Sequence, residues 1–408
     1  MKRIVVIGAG FAGLWSALGA ARKLDELHVP SGDVEVVVIN GTGYHSIRVR
    51  NYEQPLDDTL VPLGDVLDPV GVRRIHGTVQ AIDLTNRRVT IGAGTESASL
   101  EYDRLIVAAG SELIRPDIPG LAECTFDVDT WQGARKLQQQ LLELPARPES
   151  PGRLTVLVVG AGLTGIELAA ELPQRLRAIV GERLRDTVRV VLADRSAKIG
   201  QSMGGAQPVI ERAMNALGVE LLPGVSLQTV DRDGARFTNG KRIDAATVVW
   251  CGGMRASPLT GQFPVALDGS ARVPVDAFLR VEGAPGVFAA GDCARLLVDG
   301  ERPSVMSCQH SRPMGRYAGH NAVCDLSGLA MLPLRIGWYT TILDLGPWGA
   351  VYTEGWDRHL VSEGELAKQT KRTINCNRIY PPRTHTREDL LQAAAPIVQT
   401  PPPSRPTQ

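Results

Sequence analysis

Short runs of consecutive apolar residues alternate along this chain with longer stretches in which apolar side chains recur every three or four positions. The first run, Arg3 to Ile7, predicts a strand, and Phe11 to Leu27 predicts a helix with Leu14, Leu18, Ala21 and Leu24 on one face. Val34 to Ile39 is almost wholly apolar, as expected of a strand covered on both faces of a parallel sheet. Residues 72–91 read as a β-rich connection, and Arg104 to Ala109 as another buried strand that stops at Gly110. Pro145, Pro148, Pro151 and Gly152 mark a loop or a crossing between domains. The opening pattern then repeats. Leu154 to Val159 is a strand, Gly160 begins a turn, and a helix runs on through Leu172, with Pro173 placed to kink or interrupt it. Val188 to Leu192, Val248 to Trp250 and Gly286 to Ala290 are further apolar runs, and the alternation as a whole predicts an α/β fold. The last stretch, Pro381 to Gln408, holds seven prolines and is expected to be a mobile, partly extended tail.

Composition narrows the function classes. Lys plus Arg and Asp plus Glu both number 44, so the net charge is zero and the basic footprint of a nucleic-acid binder is missing. With 43% hydrophobic and 22% charged residues the chain is an ordinary globular one. It has neither a membrane-spanning apolar run nor the h-region of a signal peptide, so a soluble, cytoplasmic protein is expected. The cysteines, at 124, 251, 293, 308, 324 and 376, form no CxxC pair and no metal-ligand spacing, so free thiols and no metal are expected.

Glycine placement carries the chemistry. Gly8-Ala9-Gly10-Phe11-Ala12-Gly13 follows a strand and opens a helix, the arrangement that lets a backbone approach a pyrophosphate at a helix N-terminus. The residue after the second strand, where an acid often holds a ribose, is Asn40. Gly160-Ala161-Gly162-Leu163-Thr164-Gly165 repeats the fingerprint, and here the ribose position is Asp194, with Arg195 beside it. Glu167, in the first turn of that helix, either meets the helix dipole or has a functional role. Asp292, closing a buried strand with Gly291, must bond something polar.

These segments resemble the two-dinucleotide-binding-domain flavoproteins and, within them, the type II NADH dehydrogenase-like oxidoreductases. VVIGAGFAGL, YDRLIVAAGSE, VLVVGAGLTGIELAAEL, VVWCGGMR, GVFAAGDCA and SCQHSRPMG carry the resemblance over residues 3–320. It implies FAD on Gly8, Gly10, Phe11, Ala12, Gly13, Asn40, Val79, Ala109, Gly110, Gly291 and Asp292, with Gln309 by its ring. NADH is implied on Gly160, Gly162, Gly165, Glu167, Asp194 and Gly252. Residues 40–60 lack the redox cysteine pair of the disulfide reductases, and the Pro-rich end replaces the amphipathic anchoring helices of membrane-bound members.

The expected architecture is two Rossmann-like domains, the second inserted in the first. Residues 1–115 and 265–328 would bind FAD and 116–264 NAD(P)H, followed by a C-terminal region, 329–380, and the tail. The expected activity moves two electrons from NADH, preferred over NADPH because of Asp194, through flavin to a quinone or other small acceptor. A soluble reductase of a protein or metabolite, and a redox-sensing flavoprotein, are the alternatives. Glu167, Gln309 and His310 are the catalytic candidates, His310 as a proton donor or else a satisfied polar histidine. His45, Arg48 and Arg50 either approach the flavin or its acceptor, or lie on a solvated loop. The aromatic window 338–356 is a packing cluster, a dimer face or a peripheral membrane contact, so the assembly is expected to be a monomer or homodimer.

Overall fold

The computed structural model describes residues 1–93 and 96–403. Two parallel sheets organise it. Strand β1 (Lys2–Ile7) leads through the glycine turn into helix α1 (Phe11–Glu26) and back into β2 (Val34–Asn40), after which come β3 (Arg73–His76), an antiparallel meander spanning residues 78–101, and β4 (Arg104–Val107). The second unit repeats this path as β5 (Thr155–Val159), α2 (Leu163–Val180), β6 (Arg189–Ala193), α3 (Gln207–Leu217), β7 (Val219–Leu222) and β8 (Thr247–Trp250), in the spatial order β7-β6-β5-β8. Strand β9 (Val287–Ala289) then returns to pair with β4, so the first sheet has the order β9-β4-β1-β2-β3. The second sheet is therefore threaded between two strands of the first. Helix α4 (Cys308–Leu326) lies along α1, and Gly19, Gly315 and Gly319 permit that approach: a Cβ on Gly319 would stand 2.0 Å from the Ser16 carbonyl oxygen.

All-apolar strands sit where both faces are covered. Ile4, Val5 and Val6 are fully buried, as are Val156, Leu157 and Val158 of β5. Pro173 lies inside α2 without ending it, and the helix continues to Val180. A three-stranded antiparallel sheet, β10 (Thr340–Asp344), β11 (Ala350–Glu354) and β12 (His359–Gly364), is followed by helix α5 (Glu365–Thr373).

The expectation of a mobile tail is corrected as far as residue 403; residues 404–408 lie outside the described residues. Thr386 caps a short helix, α6 (Arg387–Ala393), whose Leu390 and Leu391 are buried against the first domain. Beyond it, the Tyr352 hydroxyl donates to the Pro402 carbonyl at 3.0 Å and Arg312 donates to Gln399 at 3.0 Å. Apolar burial and carbonyl pairing hold the segment despite its prolines. Among the described residues no helix is long and apolar enough to cross a membrane.

Candidate active site

In the first fingerprint the three glycines do three jobs. Gly8 has φ +91°, and a Cβ there would meet the Ala108 carbonyl oxygen at 2.5 Å. A Cβ on Gly13 would lie 1.9 Å from the Gly8 carbonyl oxygen, so this glycine lets α1 press on the turn. Around Gly10 no protein atom lies within 4 Å of such a carbon. That open cradle at the N-terminus of α1 fits a dinucleotide pyrophosphate. Asn40 pins the loop: its Oδ1 accepts the Ala9 N–H at 2.9 Å while its Nδ2 donates to the Thr42 carbonyl. Beneath, the buried His45 donates from Nδ1 to the Ala9 carbonyl at 2.8 Å, and burial pushes its pKa down to about 4. It is neutral and structural, not solvated.

The second fingerprint has the same anatomy. A Cβ on Gly160 would meet the Cys251 carbonyl oxygen at 2.4 Å, one on Gly165 the Gly160 carbonyl oxygen at 1.8 Å, and one on Gly162 nothing within 4 Å. Asp194 stands where Asn40 does, accepting the Ala161 N–H at 2.7 Å through Oδ2 and the Ser196 N–H at 2.7 Å through Oδ1. Arg195 beside it is exposed.

A cavity of about 860 Å³ opens over the first fingerprint and is lined by Gly10, Phe11, Ala12, Asn40, Gly110 and Asp292. Gly8, Gly13, Ala109 and Gly291 do not line it themselves; Gly8 and Gly13 pack against Ala108, and Gly291 lies so close to Ala12 that a Cβ would reach its methyl at 2.6 Å. The Asp292 carboxylate accepts hydroxyl hydrogens from Ser111 at 2.7 Å and Ser311 at 3.3 Å. The volume and the polar rim suit FAD. A second, more enclosed cavity of about 270 Å³ adjoins it, and Arg48, Thr164, Met306 and Cys308 line both. Arg48 donates to the Ser111 carbonyl at 3.0 Å and pairs with Asp129, which fixes it at this junction.

Gln309 and Glu167 line the second cavity together with Trp338 and Ile342. Gln309 is loosely held, 3.4 Å from both the Trp338 carbonyl and the Thr340 hydroxyl. Glu167 is 6% exposed, and its Oε1 accepts from Lys371 Nζ at 2.7 Å and from the Asp344 N–H at 3.1 Å. Burial pushes its pKa up to about 6 against the pull of Lys371, while the Glu167 and Asp344 carboxylates hold the Lys371 ammonium above its usual range. Arg48 takes the first of its two expected places, beside the flavin and acceptor cavities, whereas Lys371 and Cys308 are site residues that sequence reasoning does not single out. Nothing local marks Lys371, which meets Glu167 across 204 positions.

Other candidates are not brought to the cavities. His310 is fully buried, its Nδ1 accepts the Val305 N–H at 2.9 Å, its ring packs on Tyr339 and Trp356, and burial lowers its pKa to about 4. A neutral ring walled off in this way is no proton donor, so the catalytic expectation for His310 is corrected. Val79 sits in the core of the meander opposite Ile91, outside the lining, and its expected cofactor contact is not formed by its side chain. Gly252 lines neither cavity but abuts the second fingerprint, its backbone nitrogen 3.2 Å from where a Cβ on Gly160 would stand, and a Cβ of its own would meet the Trp250 ring at 1.9 Å. Arg50 is buried and donates to the Tyr380 hydroxyl at 2.7 Å. In the aromatic window Tyr339 stacks on Trp356 at 4.8 Å, Tyr352 is fully buried and Trp338 faces the second cavity, so the window is largely internal packing. All six cysteines are free.

Comparison with known proteins agrees with this geometry. An NADH dehydrogenase-like protein of Mycobacterium tuberculosis is 56% identical over 400 residues, which cover 98% of this chain and 99% of the relative. A demethylphylloquinone reductase of Synechocystis is 26% identical over 361 residues, 86% of each chain. A type II NADH:quinone oxidoreductase of M. tuberculosis is 30% identical over 323 residues, 72% of this chain and 67% of the relative. Among solved structures, NDH2 of Plasmodium falciparum in complex with NADH superposes with a TM-score of 0.78 at 13% identity, covering 96% of this chain and 97% of the other. Residues 2–315 match the pyridine nucleotide-disulphide oxidoreductase family. The chain belongs to that family: it is an oxidoreductase whose cofactors are FAD and a nicotinamide dinucleotide.

Proposed function

We propose that the protein carries two electrons from NADH to a quinone by way of FAD. The observation that carries this reading is the junction of a dinucleotide-sized cavity with a second, enclosed and mainly apolar cavity at Arg48, Thr164 and Cys308. When bound, the flavin supplies the two-electron chemistry. Gly10 and the α1 N-terminus would hold its pyrophosphate, with Asn40 at a ribose and Asp292 over its polar stem. Gly162 and Asp194 would hold NADH at the other fingerprint, the carboxylate accepting from a ribose hydroxyl and repelling the 2′-phosphate of NADPH.

Conversion of a quinone to a quinol takes up two electrons and two protons. Hydride donation from NADH accounts for both electrons and one hydrogen, so one proton must come from solvent through the protein. Glu167 is suited to hand it on: burial keeps its carboxyl protonated up to about pH 6, and it faces the second cavity with Gln309. Gln309, lightly bonded on both ends of its amide, can turn to bond an acceptor carbonyl. The relatives named as quinone reductases support the same acceptor class.

The test is an acceptor screen on purified, flavin-loaded protein with NADH as donor. A naphthoquinone or benzoquinone should sustain faster NADH oxidation than the same buffer without quinone in air. Rapid flavin reduction by NADH followed by no quinone turnover would overturn the assignment of the acceptor.

A further inference from the structure

Four arginines, Arg312, Arg316, Arg378 and Arg383, converge on a cavity of about 320 Å³ between α1, α4 and the C-terminal segment. Among the described residues none of the four makes an ion pair, and no Asp or Glu lines the cavity. Arg312 and Arg316 are only 6% and 2% exposed. Both stack on the Trp15 indole, at 5.1 and 4.3 Å from the ring, yet the Nε–H of each is buried without a hydrogen-bond partner, as is the Trp15 Nε1–H. Arg312 has a single acceptor, Gln399 Oε1, Arg378 donates to the Thr400 carbonyl, and Arg383 to the Cys376 carbonyl.

A guanidinium stays charged under ordinary conditions, and burying one without a counter-charge is costly. Two such groups side by side, facing two more, add repulsion to desolvation. Burial and the neighbouring arginine lower the pKa of Arg312 to about 9, and burial lowers that of Arg316 to about 10. Stacking on tryptophan recovers only part of that cost. Donors without acceptors, cations without acids and a cavity between them have one chemical complement.

We propose that this cavity is a binding site for a phosphate-type oxyanion, distinct from both dinucleotide sites. Guanidinium forks match such an oxyanion in charge and in hydrogen-bond geometry. The volume accepts inorganic phosphate or the phosphate end of a larger molecule. Arg312, Arg378 and Gln399 also line the second cavity beside Gln309, so an anion seated here would brace the wall that an electron acceptor touches.

The site is tested on the flavin-loaded protein with inorganic phosphate, against sodium chloride at matched ionic strength, by calorimetry and thermal unfolding. Phosphate should bind and raise the unfolding temperature of wild type where chloride does not. In Arg316→Met, which keeps apolar packing on Trp15 but removes the charge, phosphate affinity should fall roughly tenfold or more, and the variant without phosphate should be at least as stable as wild type. A variant equally destabilised with and without phosphate, or a wild type blind to phosphate, overturns the proposal. Sedimentation with vesicles separates the sources. Pelleting with phosphatidylglycerol but not phosphatidylcholine vesicles, reversed by free phosphate and lost in Arg316→Met, assigns the anion to a lipid headgroup. Phosphate binding without pelleting assigns it to a soluble compound.

Discussion

The two glycine fingerprints are near copies in backbone and differ in the side chains set around them. At the ribose position an amide, Asn40, and a carboxylate, Asp194, make the same bond to the N–H between the first two glycines. Loop geometry therefore needs an oxygen acceptor, not a charge. The charge is an addition that only the second site carries, and in the proposed function it would read the ribose of the nicotinamide dinucleotide. The same lesson holds one turn deeper into the helices. Seven residues after the first glycine, α1 presents Trp15 and α2 presents Glu167, each to a cation from a distant part of the chain. Glu167 neutralises its Lys371; Trp15 gives its two arginines a π face and leaves their charge unbalanced.

Substitutions can break this comparison, the largest effects first. Gly13→Ala and Gly165→Ala put a carbon into backbone oxygens at 1.9 and 1.8 Å, so each should cost about 3 kcal/mol in urea unfolding of its own half. At Gly10 and Gly162, by contrast, a Cβ meets no protein atom within 4 Å, which leaves room for Gly10→Val and Gly162→Val. They should leave folding nearly intact while FAD retention and NADH affinity, respectively, fall by roughly a hundredfold, as read by absorbance and by titration. If instead Gly10→Val folds and keeps its flavin as wild type does, the cradle is misplaced.

Asp194→Asn makes the second loop resemble the first. The bond to Ala161 should persist, and the NADH-over-NADPH ratio of kcat/KM should drop by about tenfold. An unmoved ratio would show that the carboxylate is only a loop pin. Glu167→Gln tests the deeper pair. Because burial raises the folded pKa of Glu167 above its ordinary value to about 6, its proton-donating form is lost as pH rises through that value, and wild-type quinone turnover should decline there. The variant should turn over quinone roughly tenfold more slowly with that pH limb flattened. The same shift means that the acid form favours folding and that Glu167 works against stability above pH 6, a sign checked by comparing unfolding midpoints of the two proteins across that pH. The smallest effect is expected from Asn40→Asp, which should change FAD retention by no more than about threefold.

Strands, glycine turns and the duplicated path were legible because their signals are local: apolar runs, left-handed glycines and helix starts within a few residues of each other. The acid at 292 could be read as bonded because a carboxylate at the end of a buried strand has few alternatives, and Ser111 and Ser311 now account for it. The second cavity was not legible. Its key contact, Glu167 with Lys371, spans 204 positions, and Lys371 lies on an amphipathic helix that looks solvated in sequence. The sequence leaves His310 either a proton donor or a satisfied polar histidine because it adjoins Gln309, but adjacent residues on a helix face different ways, and only Gln309 lines the cavity. Proline content outweighed Thr386, Asp389 and the Leu390-Leu391 pair, which together announce a short capped helix.

Strand β9 closes the first sheet only after the whole second sheet has been made. On a ribosome this sets an order of assembly. The sheet of residues 155–250 is contiguous and complete once its own stretch emerges, whereas the first sheet waits for residue 287, and Asp292 and α4 arrive later still. Under the proposed placement of the cofactors, the nascent chain would complete its nicotinamide half ahead of its flavin half, and flavin capture would become a late checkpoint on a nearly finished polypeptide.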